Sequence, residues 1–356
     1  MIDCIFTGDI MPGAQKNTES LSADIRKDFR KSDIVVGNLE GPIVSQPPTK
    51  LNFKKIPLWS DSGNADLLKQ LCFTHLSLNN NHTMDLFENG LDETLIQLGN
   101  LNIKGFGLDY DNISQYYRVE RNGIRIGMLA VNWVQPHFSG GLIHDLKELN
   151  IGGLKETTDF LVLLLHWGDE HNIFINKDQQ DTARQLIDLG VDLVIGHHPH
   201  VPQGYEMYKG KYIFYSLGNF LFTPREEYDW LPYDVRYEDH RENILFQRLE
   251  CKIGFYVRIV FGKDRYDVVD VKPIYRDNTL PVPLPAHLAP FYQRLLLKTN
   301  TQIAKSAYQL NENERKRILA SYTLPLILTH PFYWPLFFRK IKIKKVLWFL
   351  KGHNTQ

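Results

Sequence analysis

Short apolar segments that alternate with longer amphipathic stretches constrain the fold of this chain more than any other feature. The run at residues 160–165, Phe-Leu-Val-Leu-Leu-Leu, has no polar alternation, which is typical of a strand covered on both faces. The predicted strands are 2–6, 34–36, 74–78, 103–106, 160–165 and 191–195, and the predicted helices are 18–30, 62–71, 87–100 and 176–189. A chain in which strands and helices alternate in this way is expected to form a layered α/β fold.

The pattern changes after residue 200 to segments that are typical of antiparallel strands. These are predicted at 205–207, 212–216, 244–251, 255–261 and 266–274, with Lys209-Gly210 as the turn between the first two. A proline-rich stretch, 281–290, is expected to end this region and to open a helical segment. We therefore expect one domain over residues 1–276 and a helical, basic and aromatic extension over residues 277–356.

Charge is distributed unevenly along the chain. The sequence has 41 basic and 41 acidic side chains, but no Asp or Glu follows Glu314. The nine Lys and Arg residues beyond that point leave residues 1–314 with a net charge of −9, from 32 basic and 41 acidic side chains. An acidic body with a basic tail does not fit a general nucleic-acid binder, whereas the tail suits an anionic membrane surface.

The last segment, residues 331–356, combines large aromatic side chains with a cluster of lysines. This composition is typical of a helix in a membrane interface and predicts peripheral membrane contact. The alternative is that the aromatic side chains pack on the β-rich region and the lysines form its solvated face. The chain opens with a strand-like segment and has no uncharged apolar run of 18 residues, so we expect neither a signal peptide nor a transmembrane helix. The predicted location is the cytoplasm or the inner membrane face.

Polar residues with metal-binding chemistry stand at the ends of the predicted strands. Because neighbouring strands of an α/β fold bring their carboxyl ends to one crevice, these side chains are expected to meet. The candidates are Asp9, Glu40, Asn81, His82, His166, His198 and His200. Apart from His82, the set offers two carboxylates, an amide oxygen and three imidazoles, which suit one or two ions of Mn, Fe, Zn or Mg. The three cysteines are far apart in apolar surroundings, so they are expected to be buried and to form neither a disulfide nor a thiolate site.

Each of these residues also has an ordinary structural explanation. Asp9 can cap a turn, Glu40 can be solvated, and residues 79–81 can form an asparagine-rich turn. His166 is harder to explain in this way, because an imidazole that directly follows an apolar strand is costly to bury without a partner. The occurrence of such residues at successive strand ends favours the metal site.

Six motifs follow one another along residues 2–275: GDIMPG at 8–13, GNLEGPI at 37–43, SLNNNHTMD at 77–85, HWGDE at 166–170, GHHPHVPQG at 196–204 and YSLGNF at 215–220. Together they resemble those of the CapA-type capsule and poly-γ-glutamate biosynthesis proteins, a branch of the calcineurin-like metallophosphoesterase superfamily. The resemblance implies a metallophosphoesterase-like four-layer α/β/β/α sandwich of two mixed sheets, followed by a C-terminal helical extension. The metals would lie at the edge of the sheets.

The resemblance also implies a set of metal ligands and a general acid. The ligands would be Asp9 and His200 for a first metal, Glu40 as the bridge, and Asn81, His166 and His198 for a second metal. His82 would stand beside the substrate as general acid. A water molecule activated by the metals would attack phosphorus or a carbonyl carbon.

Three further residues are predicted next to this site. Glu170 and His171 follow His166 closely enough to orient it or to contact substrate, although both also fit a solvated loop pair. Glu170 matches the CapA pattern and His171 does not. Asn219 is expected to form a structural turn near the site.

Two positions depart from the superfamily pattern. Met11 stands where the superfamily has the His of an Asp-x-His motif, and hard metals do not favour a thioether. Glu40 stands where the superfamily has Asp, which lengthens the bridge by one methylene. CapA-type sequences share both changes, so the changes mark this branch.

The leading functional prediction is a metal-dependent hydrolase of capsule, poly-γ-glutamate or exopolysaccharide biosynthesis that acts on an anionic polymer or its precursor. Met11 and the basic, aromatic tail motivate an alternative, a noncatalytic scaffold or binding subunit of a polymer synthesis and export complex. A third possibility is a phosphoesterase that acts on small molecules.

Overall fold

The computed structural model describes residues 1–13, 22–46, 57–108, 114–134, 146–222, 249–276 and 280–304. Within these ranges the strands are β1 (Ile2–Met11), β2 (Ile34–Leu39), β3 (Ile43–Val44), β4 (Ser60–Asp61), β5 (His75–Ser77), β6 (Lys104–Phe106), β7 (Tyr116–Arg121), β8 (Ile124–Asn132), β9 (Phe160–His166), β10 (Leu193–His197), β11 (Tyr205–Tyr208), β12 (Lys211–Phe214), β13 (Asn219–Phe222), β14 (Ile253–Phe261), β15 (Tyr266–Tyr275) and β16 (Val282–Pro283). The helices are α1 (Ala23–Phe29), α2 (Asp66–Gln70), α3 (Phe87–Asn100), α4 (Ile151–Glu156), α5 (Lys177–Leu189), α6 (Leu249–Lys252) and α7 (Ala289–Ala304). Short 3-10 helices lie at Ser62–Asn64, Leu146–Leu149 and Ala286–Leu288.

Most of the strands form two mixed sheets. The order is β16-β15-β14-β1-β2-β5-β6 in the first sheet, with β13 also paired with β1, and β11-β12-β10-β9-β8-β7 in the second. In the first sheet β1, β2, β5 and β6 are parallel, whereas β14 is antiparallel to β1 and β15 is antiparallel to β14. In the second sheet β8, β9, β10 and β12 are parallel, and the edge strands β7 and β11 are antiparallel to their neighbours. β3 and β4 form a separate pair.

Successive residues of the central strands face two different cores. Val162 and Leu164 of β9 belong to the core between the sheets, together with Phe6 of β1. Leu163, on the opposite face of β9, belongs to a core that includes Leu186 of α5. Helices α1, α2 and α3 cover the outer face of the first sheet in the same way. The predicted four-layer α/β/β/α sandwich of two mixed sheets is therefore confirmed.

The second half of the chain departs from the sequence prediction in several places. Residues 249–251, predicted as the end of a strand, belong to the helical turn α6. β12, expected in an antiparallel region, pairs in parallel with β10. Among the cysteines, Cys4 and Cys251 are buried as expected, but Cys72 is partly exposed.

Strand β1 changes its partner just before the first candidate ligand. Its first half pairs with β14, and from Asp9 onward it pairs with β13. The Asp9 N–H donates to Gly218 O at 3.0 Å. A Cβ atom on Gly8 would lie only 1.8 Å from the same oxygen, so the close approach of these two backbones requires glycine.

The last described helix, α7, packs on the sandwich. Tyr292 belongs to the core between the sheets, and Leu295 packs with Val201 and Cys251. The domain boundary at residue 276 stays a prediction, and residues 305–356, with the basic and aromatic tail, lie outside the described residues. Among the helices of the described ranges, none combines the length and apolar character that crossing a membrane requires.

Candidate metal centre

The candidate ligands lie at an edge that the two sheets share. Asp9 belongs to β1 and Glu40 follows β2 in the first sheet, whereas His166 ends β9 in the second. His197, the last residue of β10, joins the sheets because its Nε2 donates to Thr7 O of β1 at 2.9 Å. The carboxyl ends of β1 and β10 therefore lie side by side, which brings together residues far apart in the sequence.

The loop after β10 turns two imidazoles towards this edge. His198 and His200 have φ angles of 94° and 57°, in the left-handed region that residues other than glycine seldom adopt. The His198 N–H donates to Asp9 Oδ2 at 3.2 Å, and the His171 N–H donates to Pro199 O at 2.8 Å. These contacts hold a strained backbone in place, as is common where side chains must be aimed at a functional site.

Two groups of potential metal ligands share Glu40. One group is Glu40, His166 and His198, and the other is Asp9, Glu40 and His200; within each group the ligand atoms lie within 4.8 Å of one another. Glu40 Oε1 lies 3.5 Å from His200 Nε2 and 4.0 Å from His166 Nε2. All five side chains are at most 3% exposed. The arrangement offers two neighbouring positions for cations with one carboxylate between them.

Burial shifts the acids and the bases of this site in opposite directions. It raises the pKa of Asp9 to about 7, although hydrogen bonds from Asn38 and from the His198 N–H oppose the change. Burial and the neighbouring imidazoles lower the pKa of His166 and of His200 well below the usual value. Neutral imidazoles can each offer a lone pair, and buried carboxylates need a compensating positive charge to ionise. The donor set therefore fits divalent cations.

Asparagine side chains surround the candidate ligands. Asn81, which is half-buried, has Oδ1 at 2.7 Å from His166 Nε2. Asn38 Nδ2 donates to Asp9 Oδ1 at 2.9 Å and lies 3.4 Å from His166 Nδ1. Asn80 Nδ2 in turn donates to Asn38 Oδ1 at 3.1 Å. Sequence reasoning missed Asn38 and Asn80 as parts of the site; the one signal for Asn38 was its place two residues before Glu40.

His82, the predicted general acid, faces Glu40 and is held on its other side. Its Nδ1 donates to Asp85 Oδ2 at 2.6 Å, and its Nε2 lies 3.9 Å from Glu40 Oε1. Asp85 is fully buried and also accepts from the Leu58 N–H at 2.6 Å. A histidine fixed in this way presents Nε2 for proton transfer. Sequence reasoning did not single out Asp85, which lies only three residues from His82.

The three further predicted residues take different positions. Asn219 begins β13 instead of forming a turn, and its Oδ1 accepts from His200 Nδ1 at 2.9 Å. Glu170, half-buried, forms a third group of potential ligands with His198 and His200. His171 is buried, with Nδ1 at 3.7 Å from Cys251 Sγ, and it belongs to none of the ligand groups found in the described residues.

Met11 lies in an apolar cluster beside the site. It is fully buried with Leu58 and Phe222. The ring of Phe222 in turn contacts the ring of His200, with centroids 5.0 Å apart. Met11 thus contributes to the apolar wall next to His200.

A family model described as "Bacterial capsule synthesis protein PGA_cap" matches residues 3–224. The chain belongs to this family. The matched range runs past every candidate site residue, from Asp9 to Asn219, and the predicted relationship to capsule and poly-γ-glutamate biosynthesis proteins is confirmed. The metal-binding and catalytic roles of the individual residues stay predictions.

Two curated relatives of this PGA_cap chain carry CapA names. The PGA biosynthesis protein CapA of Bacillus subtilis (strain 168) is 34% identical over 314 residues, which cover 75% of this chain and 83% of the relative. The capsule biosynthesis protein CapA of Bacillus anthracis is 29% identical over 243 residues, which cover 61% of this chain and 59% of the relative.

Solved structures with similar architecture include two phosphoesterases. A novel phosphatase from Mycoplasma pneumoniae has a TM-score of 0.48 at 15% identity, over 83% of this PGA_cap chain and 98% of that chain. The calcineurin-like phosphoesterase YfkN from Bacillus subtilis has a TM-score of 0.40 at 12% identity, over 84% and 98%.

Proposed function

We propose that this chain is a metal-dependent hydrolase that acts in the biosynthesis of capsule or poly-γ-glutamate. The observation that carries the proposal is the pair of ligand groups that share Glu40. Their buried carboxylates and imidazoles form a donor set that suits divalent cations, and they face a histidine suited to proton transfer. The names of the CapA relatives support the biological setting.

Two divalent cations would be held by the predicted ligands. Asp9, Glu40 and His200 would hold the first, and Glu40, Asn81, His166 and His198 would hold the second. When bound, such ions lower the pKa of a water molecule and polarise the bond to be cleaved. Asn219 fixes the orientation of His200 by accepting from Nδ1 at 2.9 Å, which leaves Nε2 turned towards Glu40.

His82 would provide the proton that the leaving group needs. Its Nδ1–H is held by Asp85, so the proton on Nε2 points towards the site and can pass to the departing oxygen or nitrogen. The buried carboxylate of Asp85 stabilises the protonated imidazole before the transfer. This chemistry suits the hydrolysis of a phosphoester or an acyl bond in an anionic polymer or its precursor.

Metal analysis and a hydrolysis assay test the proposal together. The full-length protein, purified without chelator, is expected to contain bound metal and to hydrolyse p-nitrophenyl phosphate or bis(p-nitrophenyl) phosphate when Mn²⁺ is added. His166→Ala and His198→Ala should lose metal and lower activity by more than about 100-fold. His287→Ala, a change of an exposed histidine far along the chain, serves as the matched control. A protein that binds no metal before or after Mn²⁺ addition contradicts the proposal.

A noncatalytic scaffold is the second candidate, and the position of Met11 favours it. A thioether packed among Leu58 and Phe222 leaves the first cation position with one ligand fewer than the superfamily pattern provides. On this view His166→Ala and His198→Ala would leave polymer output intact in a cell that depends on this chain. Loss of polymer in both variants would favour the hydrolase.

Peripheral membrane contact through residues 331–356 is proposed from the sequence alone. The aromatic and lysine-rich composition of this segment suits the surface of an anionic bilayer. The full-length protein should co-sediment with vesicles that contain anionic lipid, and deletion of residues 331–356 should abolish this binding. Intact protein that ignores such vesicles contradicts the proposal.

A further inference from the structure

The two candidate cation positions have unequal numbers of protein ligands. The position with His166 and His198 is approached by Glu40 and also by Asn81, whose Oδ1 lies 2.7 Å from His166 Nε2. The position with Asp9 and His200 has Glu40 as its third donor. Four to six protein and water ligands are usual for divalent ions, so a further protein donor would balance the two positions.

Glu170 lies beside His198 and His200, and His200 belongs to this incomplete position. It forms a group with His198 and His200 in which the potential ligand atoms are all within 4.8 Å of one another. Of these two histidines, His198 belongs to one of the groups that share Glu40, and His200 belongs to the other. Glu170 therefore approaches the centre from the second sheet, on the side of the histidine loop.

Backbone hydrogen bonds fix the loop that carries Glu170 against the histidine loop. The Trp167 N–H donates to His197 O at 3.1 Å, and the His171 N–H donates to Pro199 O at 2.8 Å. Residues before and after Glu170 are thus tied to residues before and after His198. A carboxylate on a loop held at both ends loses less conformational entropy on binding an ion than one on a free loop.

We propose that Glu170 is a ligand of the cation at the Asp9–His200 position, where it provides the donor that Met11 does not. The inference rests on the proposed metal-dependent function. A carboxylate in place of an imidazole makes this position richer in oxygen donors. Oxygen donors suit Mn²⁺ and Mg²⁺ and imidazole suits Zn²⁺, so the first position should favour Zn²⁺ over Mn²⁺ less strongly than an Asp-x-His site would.

Calorimetric titration of the chelator-treated, full-length protein with MnCl₂ tests the assignment, with electron paramagnetic resonance to detect neighbouring Mn²⁺ ions. The wild type is expected to bind two Mn²⁺ ions that are magnetically coupled. Glu170→Gln keeps the size of the side chain and removes its charge, so one of the two ions should bind at least about tenfold more weakly and the coupled signal should fall. Asp169→Asn removes the neighbouring carboxylate and should retain both ions.

Glu170→His gives a second and independent measurement. It supplies an imidazole, so it should still bind two ions but should shift the first position from Mn²⁺ towards Zn²⁺ in a competition experiment. If the wild type binds two Mn²⁺ ions and Glu170→Gln binds both equally tightly, the assignment of Glu170 is wrong while the proposed metal centre stands. If the wild type binds no Mn²⁺ at all, the proposed function itself fails and the assignment fails with it.

Discussion

Asp85 determines which nitrogen of His82 faces the site. Its Oδ2 accepts from His82 Nδ1 at 2.6 Å and from the Leu58 N–H at 2.6 Å, so the carboxylate is fixed by backbone as well as by the imidazole. An acid that must donate from Nε2 needs both the correct ring orientation and a neighbour that stabilises its charged form. Asp85 meets both needs without approaching the substrate, which makes it a positioning residue.

Asp85→Asn should therefore lower kcat for hydrolysis by about 10²- to 10⁴-fold and leave the number of bound Mn²⁺ ions unchanged. The amide can hold the ring but does not stabilise the imidazolium, so the acidic group in the pH profile of kcat should also titrate at lower pH. Steady-state kinetics from pH 5 to 9 measure both effects. Asp92→Asn on the exposed face of α3 is the matched control. Equal kcat in Asp85→Asn and wild type would mean that His82 is not the proton donor.

At the residue scale, the sequence predicts ligands better than it predicts their supports. Asp9, Glu40 and His166 stand at strand ends, and the topology of an α/β fold brings strand ends together whatever the details of packing. Asn38 acts on Asp9 of a neighbouring strand, and Asp85 acts on His82 of its own turn but is fixed by the Leu58 N–H from a distant part of the chain. Which buried amide meets which carboxylate depends on tertiary packing, which periodicity does not encode.

At the scale of elements, the position of Asp9 on β1 depends on how closely β13 approaches that strand. β1 pairs with β14 as far as Phe6 and with β13 from Asp9 onward. Between these two stretches, Gly8 allows the backbone of Gly218 to come close. A residue larger than glycine at position 8 would push the two backbones apart. The position of Asp9 Oδ2, which accepts from the His198 N–H, would shift with them.

Gly8→Ala should destabilise the protein by about 3 kcal/mol or more, because the new methyl group meets a backbone oxygen that cannot move away cheaply. Urea unfolding at constant pH measures the loss. Gly99→Ala in α3 is the matched control, since an added Cβ there meets nothing within 4 Å. This second change should leave stability unchanged or raise it by about 0.5 kcal/mol. A Gly8→Ala protein as stable as the wild type would show that β13 does not approach β1 so closely.

Elements with a strong local signal are the ones that the sequence predicts well. Residues 87–100 are predicted as a helix with the bounds that α3 has, because an amphipathic stretch of that length has no competing pattern. The β7–β8 hairpin is missing from the prediction, although its turn is Asn122-Gly123 with φ angles of 55° and 69°, which is a recognised hairpin signal. The prediction for residues 244–251 is wrong where α6 begins, because a short apolar run does not distinguish a strand from a buried helical turn.

Helix α7 stabilises the sandwich although it lies in the predicted extension. Tyr292 and Leu295 are 7% and 5% exposed, and Asn300 Oδ1 accepts from the Tyr205 N–H at 3.0 Å. A chain that ends after residue 288 should therefore be less stable than one that ends after residue 304, by about 3 to 5 kcal/mol. Thermal unfolding of the two truncated proteins measures the difference. Equal melting temperatures would mean that α7 does not pack on the sandwich in solution.

In the whole molecule, the proposed centre and the packing of the sheets are coupled. Asp9 and Glu40 come from the first sheet, and His166, His198 and His200 come from the second, so each of the two proposed ions would tie the sheets together. Protonation of Asp9, His166 or His200 would oppose metal binding and therefore this coupling. Burial shifts the pKa of all three residues, so their effects on stability overlap. The pH dependence of folding is therefore clearest at a histidine outside the ligand groups of the described residues, and His75 of β5 is such a residue.

His75 should make the free energy of unfolding fall as the pH decreases from about 6.5 to about 4. Burial, and to a lesser extent the charge of Lys104, lowers the pKa of His75 to about 4, and the Tyr117 ring lies 4.8 Å away. The unfolded chain binds a proton near pH 6.5 and the folded chain does not, so protonation favours unfolding across this window by up to about 3 kcal/mol. His75→Gln lacks the titrating group, so the stability difference between wild type and variant should shrink in that range and stay constant above pH 7. Urea unfolding of both proteins at a series of pH values, with chelator present, measures this difference, and a difference independent of pH from 4 to 7 would rule out burial of a neutral His75.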